Sequence, residues 1–224
     1  LQTRINQQCL TSEKKVLPFG EVSGGAASPL AKHINTIHYF YFMGFAYTFA
    51  NPDGVYFVTF TVVEWVDIFT RSRYADIVIE SLKYCVAEKG LQLHAFVIMS
   101  NHLHLIISRN SEPTLSHIIR DFKKYTATQI KKSIETEPES RRNWMLWIFR
   151  QAGSNNPNNK NFQLWQHENH PEELITNRFI AQKLDYIHQN PVRAGIVYRA
   201  EDYKYSSAAA YSGSESILPV TFIE

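Results

Sequence analysis

Apolar positions along this chain change period several times, and each change marks an element. After the turn chemistry of Asn51-Pro52-Asp53-Gly54, residues 56–63 are β-branched and aromatic, the pattern of a strand. Residues 71–89 set Ile77, Leu82 and Val86 among polar positions and predict a helix stopped by Gly90. Residues 91–99 return to strand character. Ser100-Asn101 predicts a tight turn, since asparagine tolerates positive φ, and 102–108 a third strand antiparallel to the second. Leu115, Ile118, Ile119, Phe122, Thr126, Ile130 and Ile134 then fall on one helical stripe, with Thr114 as its N-cap. The order is β-α-β-β-α. A last strand near 162–166 would complete a ferredoxin-like split β-α-β unit: α+β in class, an antiparallel sheet with its helices packed on one face. Residues 177–189 predict a C-terminal helix ended by Asn190-Pro191, because a residue before proline leaves the helical region. Arg193 and Gly195 form the turn after it.

The third strand carries the first candidate chemistry. Side chains two apart on a strand share a face, so His102 and His104 project together while Leu103, Leu105 and Ile107 point into a core. Two neutral imidazoles side by side make half of a divalent-metal site; they also suit a wetted sheet face. On the helix that follows, Tyr125 and Gln129 are four apart along one edge of the apolar stripe, with Asp121 and Lys132 on the same ridge. If that edge faces the strand, a phenol nucleophile stands beside a site of two nitrogens and one oxygen. The same residues also fit a boundary tyrosine with a wetted hydroxyl and a solvated glutamine.

Composition narrows the class. The chain has 224 residues, enough for one well-packed domain. Its net charge of only +2 does not announce nucleic acid by itself. The distribution says more: between 115 and 150, Arg120, Lys123, Lys124, Lys131, Lys132, Arg141, Arg142 and Arg150 outnumber the acids, as a phosphate-tracking surface or a solvated helix face would. Cys9 and Cys85 have no metal or disulfide spacing, which fits a reducing cytoplasm. The apolar run 37–49 is too short to span a bilayer and reads as a strand or packing segment, so no membrane role is expected. Residues 1–46, rich in Gly, Ser, Pro and Lys, read as a poorly ordered arm, 47–211 as the domain and 212–224 as a tail. Trp144-Met145-Leu146-Trp147-Ile148-Phe149 is an apolar docking segment, 153–161 a loop, and His167 and His170 sit in a loop before Pro171.

Met99-Ser100-Asn101-His102-Leu103-His104, followed by Asp121-Phe122-Lys123-Lys124-Tyr125-Thr126-Ala127-Thr128-Gln129, resembles the single-tyrosine HUH (IS200-like) transposases, and within them the REP-associated tyrosine transposases. Tyr56-Phe57-Val58-Thr59-Phe60-Thr61, Leu164-Trp165-Gln166, Tyr186-Ile187-His188-Gln189-Asn190-Pro191-Val192-Arg193-Ala194-Gly195 and Tyr203-Lys204-Tyr205-Ser206-Ser207 agree in order, so the resemblance spans roughly 47–211. It implies a metal-dependent enzyme that cuts and rejoins single-stranded DNA bearing a hairpin, in a REP-like element or a transposon end, through a covalent 5′-phosphotyrosine. Tyr125 is then the expected nucleophile. His102, His104 and Gln129 would hold the ion, and nitrogen and oxygen donors without thiolate suit Mg²⁺ or Mn²⁺. By helical spacing alone, Asp121 would take the phenol's proton and Lys132 would ease its charge; Arg120, Lys123, Lys124 and Arg193 are the candidate DNA contacts on charge alone. Monomer and homodimer both occur among such proteins. Two other readings stay open: a ferredoxin-like module that binds single strands without catalysis, and a nuclease that uses water.

Overall fold

The computed structural model describes residues 49–155, 161–167 and 171–223, all within one compact unit spanning 45–224. The expected arm at 1–46 and most of the 37–49 run lie outside the described residues, as does His170.

Four strands form one sheet. β1 (Tyr56–Thr61), β2 (Leu91–Ile98), β3 (His102–Arg109) and the two-residue β4 (Glu172–Glu173) are ordered β2-β3-β1-β4, and every pairing is antiparallel. Five α-helices accompany them among the described residues: α1 (Ser72–Glu88), α2 (Leu115–Thr136), α3 (Arg142–Ser154), α4 (Asn177–Arg193) and the single turn α5 (Ala208–Tyr211). The split β-α-β arrangement expected from the apolar pattern is present, and two helical starts carry side-chain caps. Thr114 accepts from the His117 amide at 3.4 Å and Thr176 from the Phe179 amide at 3.2 Å. Gly90, at φ +66°, supplies the left-handed residue that ends α1.

Strand alternation divides the molecule into two layers. Tyr56, Val58 and Phe60 of β1, and Leu103, Leu105 and Ile107 of β3, point into a large core with α1, α2 and α3. Phe57 and Ile106 point the other way, into a smaller core with Ile187 of α4 and Leu174. β2 keeps its apolar residues aimed correctly through a bulge. The register jumps between Leu93 and Ala95, so Leu91 and Leu93 face the large core, as do Phe96 and Ile98, while Ala95 and Val97 face the small one. His94, the extra residue, bonds the Thr221 carbonyl at 2.7 Å and Ser108 Oγ at 2.8 Å.

Local expectations are refined or corrected at several points. The helices of the split unit, α1 and α2, lie on one face as expected, and the added C-terminal helix α4 covers the other. Residues 162–166 make no regular strand; Trp165 forms a single bridge with Val62. β1 ends there because the chain enters a turn at Val63–Trp65, where Glu64 (φ 51°) and Trp65 (φ 53°) are both left-handed, so the sheet edge passes to β4. The Ser100-Asn101 turn closes by a 2.7 Å bond from the Met99 amide to the His102 carbonyl, and Asn101 does not have positive φ. The apolar segment at 144–149 is part of helix α3, which buries Met145, Leu146 and Phe149. Finally, α4 runs through Pro191 to Arg193. Its end is set by Gly195 (φ +69°), whose amide bonds the Val192 carbonyl at 2.9 Å while the Ile196 amide reaches the Pro191 carbonyl at 2.9 Å, a Schellman closure. The last residues are also docked: Leu218 is buried and the Thr221 amide bonds the Leu93 carbonyl at 2.8 Å.

Candidate active site

His102 and His104 share one face of β3, as alternation requires, with ring centroids 4.8 Å apart and planes at 71°. Neighbouring oxygens orient both rings. His102 Nδ1 lies 2.7 Å from Asn101 Oδ1, and that amide oxygen can only accept, so Nδ1 carries the proton and Nε2 keeps its lone pair. His104 Nδ1 lies 2.7 Å from Thr59 Oγ1, its cross-strand partner on β1. Burial pushes both imidazoles below their ordinary range, His104 down to about 3, with the charges of His102 and Lys183 adding to desolvation there. Both are therefore neutral near pH 7, the state in which imidazole binds a metal.

The hydroxyl that meets them comes from α4. Tyr186 Oη is 3.4 Å from His104 Nε2, and the two rings sit edge to face with centroids 5.1 Å apart. Phe57, Thr59, His104, Glu172, Gln182, Lys183 and Tyr186 line a cleft of about 270 Å³. Lys183 holds its ammonium 4.2 Å from the Phe57 ring centroid and 2.7 Å from a Glu172 carboxylate oxygen. Along α4 the contacts advance with the helix: Lys183 over Phe57, then Tyr186 beside His104. Asn190, one turn further and half-buried, continues that ridge.

The meeting expected between Tyr125 and the histidines does not occur. Tyr125 is 54% exposed and lines a different cavity, of about 690 Å³, with Glu80, Tyr84, Lys89 and Asp121. The reason is strand parity. α2 packs on the layer that receives Leu103, Leu105 and Ile107, and the histidines have the opposite parity. Gln129, Asp121 and Lys132 share that helix and are not brought to the histidines either. Asp121 pairs instead with Arg120 at 3.0 Å and Lys89 at 3.7 Å, which hold its carboxyl below the ordinary range.

The candidate DNA contacts are also dispersed. Lys123 is buried, donates to the Gln166 carbonyl at 2.9 Å and lies 5.2 Å from the Phe60 centroid; desolvation lowers it to about 7, which removes it from a solvent-facing phosphate surface. Arg120 and Lys124 are exposed on α2. Arg193 alone sits on the helix of Tyr186, exposed and 3.2 Å from Asp185.

Sequence reasoning missed Tyr186, Gln182 and Lys183. A signal was present. Tyr186 adjoins Ile187 on a helix whose buried residues are few, so it sits at the edge of a narrow apolar stripe, as Tyr125 does on α2. Two helices thus offered an edge tyrosine, and nothing in their periodicity says which sheet face each will cover.

Whether a divalent ion suits these residues turns on the donors. Two neutral imidazoles, each oriented through Nδ1, fit such an ion. No third His, Cys, Asp or Glu joins them among the described residues. A carboxamide lines the cleft instead, on Gln182, and Asn190 lies one helical turn beyond Tyr186 on α4.

No curated protein matches the chain. A solved structure described as a REP-associated tyrosine transposase bound to a REP hairpin is similar in fold: TM-score 0.54 at 16% identity, covering 81% of this chain and 96% of that one. A transposase candidate from Deinococcus radiodurans R1, also 16% identical, covers 64% of this chain and 93% of its own at a TM-score of 0.39. The profile of the family described as "Transposase IS200 like" matches residues 55–150. That match takes in β1, β2 and β3, the strands among which the histidine pair lies.

Proposed function

We propose that the protein cleaves and rejoins hairpin-bearing single-stranded DNA, with Tyr186 as nucleophile and His102 and His104 as the seat of a divalent ion, as in the REP-associated tyrosine transposases. The single observation that carries this reading is the 3.4 Å approach of the Tyr186 hydroxyl to His104 Nε2, beside a second imidazole. The REP hairpin bound by the solved relative supports hairpin DNA as the substrate class. The third donor would be a carboxamide oxygen of α4, from Gln182 or Asn190, in place of Gln129. Mg²⁺ and Mn²⁺ suit that mixed nitrogen and oxygen set. A bound ion would polarise the scissile phosphate and offset charge on its non-bridging oxygens.

The rest falls to the chain. Tyr186 Oη attacks phosphorus, a phosphotyrosine bond forms on the 5′ side and the bond to the 3′-oxygen breaks. The proton lost by the phenol balances the one gained by the departing oxygen. Because the phosphodiester is exchanged and not hydrolysed, a 3′-hydroxyl from another strand reverses the step without an energy source. Asn101 and Thr59 each hold one imidazole of the pair through Nδ1, and Lys183, paired with Glu172, lines the cleft where a phosphate would lie.

The test uses labelled hairpin DNA from the flanks of the protein's own reading frame, incubated with Mn²⁺ or Mg²⁺ and resolved under denaturing conditions. A protein–DNA adduct is expected from the parent and from Tyr125→Phe, and none from Tyr186→Phe or with chelator. An adduct that survives Tyr186→Phe and vanishes in Tyr125→Phe overturns the assignment. Cleavage without adduct makes water the nucleophile, and binding without cleavage leaves a recognition module.

A further inference from the structure

We infer that Trp65 is a stacking platform for a base of the single strand entering the histidine cleft, the base next to the scissile phosphate; the proposal rests on the function just given. Trp65 is 62% exposed, and its ring centroid lies 6.4 Å from that of His102, the planes 74° apart. An indole left in water is unusual only in company, and here the company is specific. Glu64 (φ 51°, ψ 24°) and Trp65 (φ 53°) are consecutive left-handed residues, neither of them glycine. L-residues seldom adopt that conformation, so a pair of them persists only where surrounding contacts over-determine it.

Those contacts are present on both sides of the turn. The Trp65 amide bonds the Val62 carbonyl at 3.1 Å and the Val66 amide the Val63 carbonyl at 3.3 Å. The Val62 amide reaches the Asn101 carbonyl at 2.9 Å and the Val63 amide the Leu164 carbonyl at 2.9 Å. Asn101 Nδ2 donates to the Trp65 carbonyl at 3.2 Å, while Oδ1 of the same side chain accepts from His102. One asparagine thus ties the indole's backbone to the imidazole that neighbours His104 of the cleft. The strained turn does not bury the ring. It holds a large flat apolar surface in water at the rim of a polar cleft, within a nucleotide's reach of the proposed phosphate site. Single-stranded bases, already unstacked, are the partners that such a surface takes, and they do so with little sequence preference.

The experiment measures binding of a fluorescein-labelled oligothymidine, and of an abasic strand of the same length, by anisotropy. On oligothymidine, Trp65→Ala is expected to weaken binding about tenfold, Trp65→Phe by much less, and Tyr84→Ala, an exposed aromatic on α1, not at all. On the abasic strand the parent binds more weakly and Trp65→Ala costs nothing further. That disappearance separates stacking from damage to the turn, which would weaken both strands alike. Oligothymidine affinity within twofold of the parent in Trp65→Ala, or an equal loss on both strands, overturns the inference. Neither result touches the adduct assay. Loss of the adduct reading with the base-dependent Trp65 effect intact would leave a single-strand binding surface without chemistry.

Discussion

The two faces of the sheet are built from the same strands and behave as different solvents. On one, β1 and β3 give Val58, Phe60, Leu103, Leu105 and Ile107 to a continuous apolar layer under α1 and α2. On the other, the same strands give Phe57 and Ile106 to a smaller apolar patch, and Thr59, His102 and His104 to a polar one under α4. The first face supplies the hydrophobic stability. The second has enough hydrocarbon to dock a helix and desolvate two imidazoles, yet keeps a cleft open beside them. A polar site at a sheet–helix seam is thus tolerated because the opposite face carries the core.

The sharpest break between the faces is the pair of tyrosines. Removing a covalent nucleophile costs a thousandfold or more in rate, roughly the lower range for such groups, so Tyr186→Phe should leave no measurable adduct. The apolar counterparts come next. Ile187→Ala on α4 and Ile130→Ala on α2, both fully buried, should each destabilise by about 2–5 kcal/mol, read from urea unfolding. Ile187→Ala should also lower adduct formation by the protein still folded; equal activity per folded molecule in the two variants would deny that α4 positions the site.

Thr59→Val removes the oxygen that faces His104 Nδ1. A lost orienting partner typically lowers metal affinity about 10–100-fold, measured as a shift in the Mn²⁺ dependence of adduct formation; an unchanged dependence would mean that Thr59 does not orient a ligand. The pH response is smaller and has a definite sign. His104 titrates at about 3 in the native protein against 6.5 unfolded, so below 6.5 the unfolded chain binds a proton that the native one refuses. Stability is fully present above that value and falls with acidification toward pH 3, at a slope approaching about 1.4 kcal/mol per pH unit for one such group. His102 and His188 are shifted the same way by burial. His104→Asn should flatten the slope; an identical slope in the variant would assign it elsewhere. Smallest of all, Tyr125→Phe should change adduct yield by less than about twofold, since a partly exposed hydroxyl on a far surface typically contributes little.

The local elements follow from properties that short stretches carry alone. Periodicity marked β1, β2, β3, α1 and α2 within a residue or two, and Thr114 capped the helix it preceded. The sharing of one face by His102 and His104 follows from strand geometry, and the order of elements implied a split β-α-β unit, but its last strand is 172–173 and not 162–166. What tertiary structure decided is which helix covers which face. Tyr125 and Tyr186 each sit at the edge of an apolar stripe, and a stripe says that a helix will pack, not on what. The choice was made by the connections: α2, continuing from β3, lies with α1 on the layer of Leu103 and Leu105, and only the return of the chain through β4 carries α4 to the histidines. The left-handed pair at Glu64 and Trp65 was invisible for the same reason, since contacts from Asn101 and Leu164, distant in the chain, hold that turn in place.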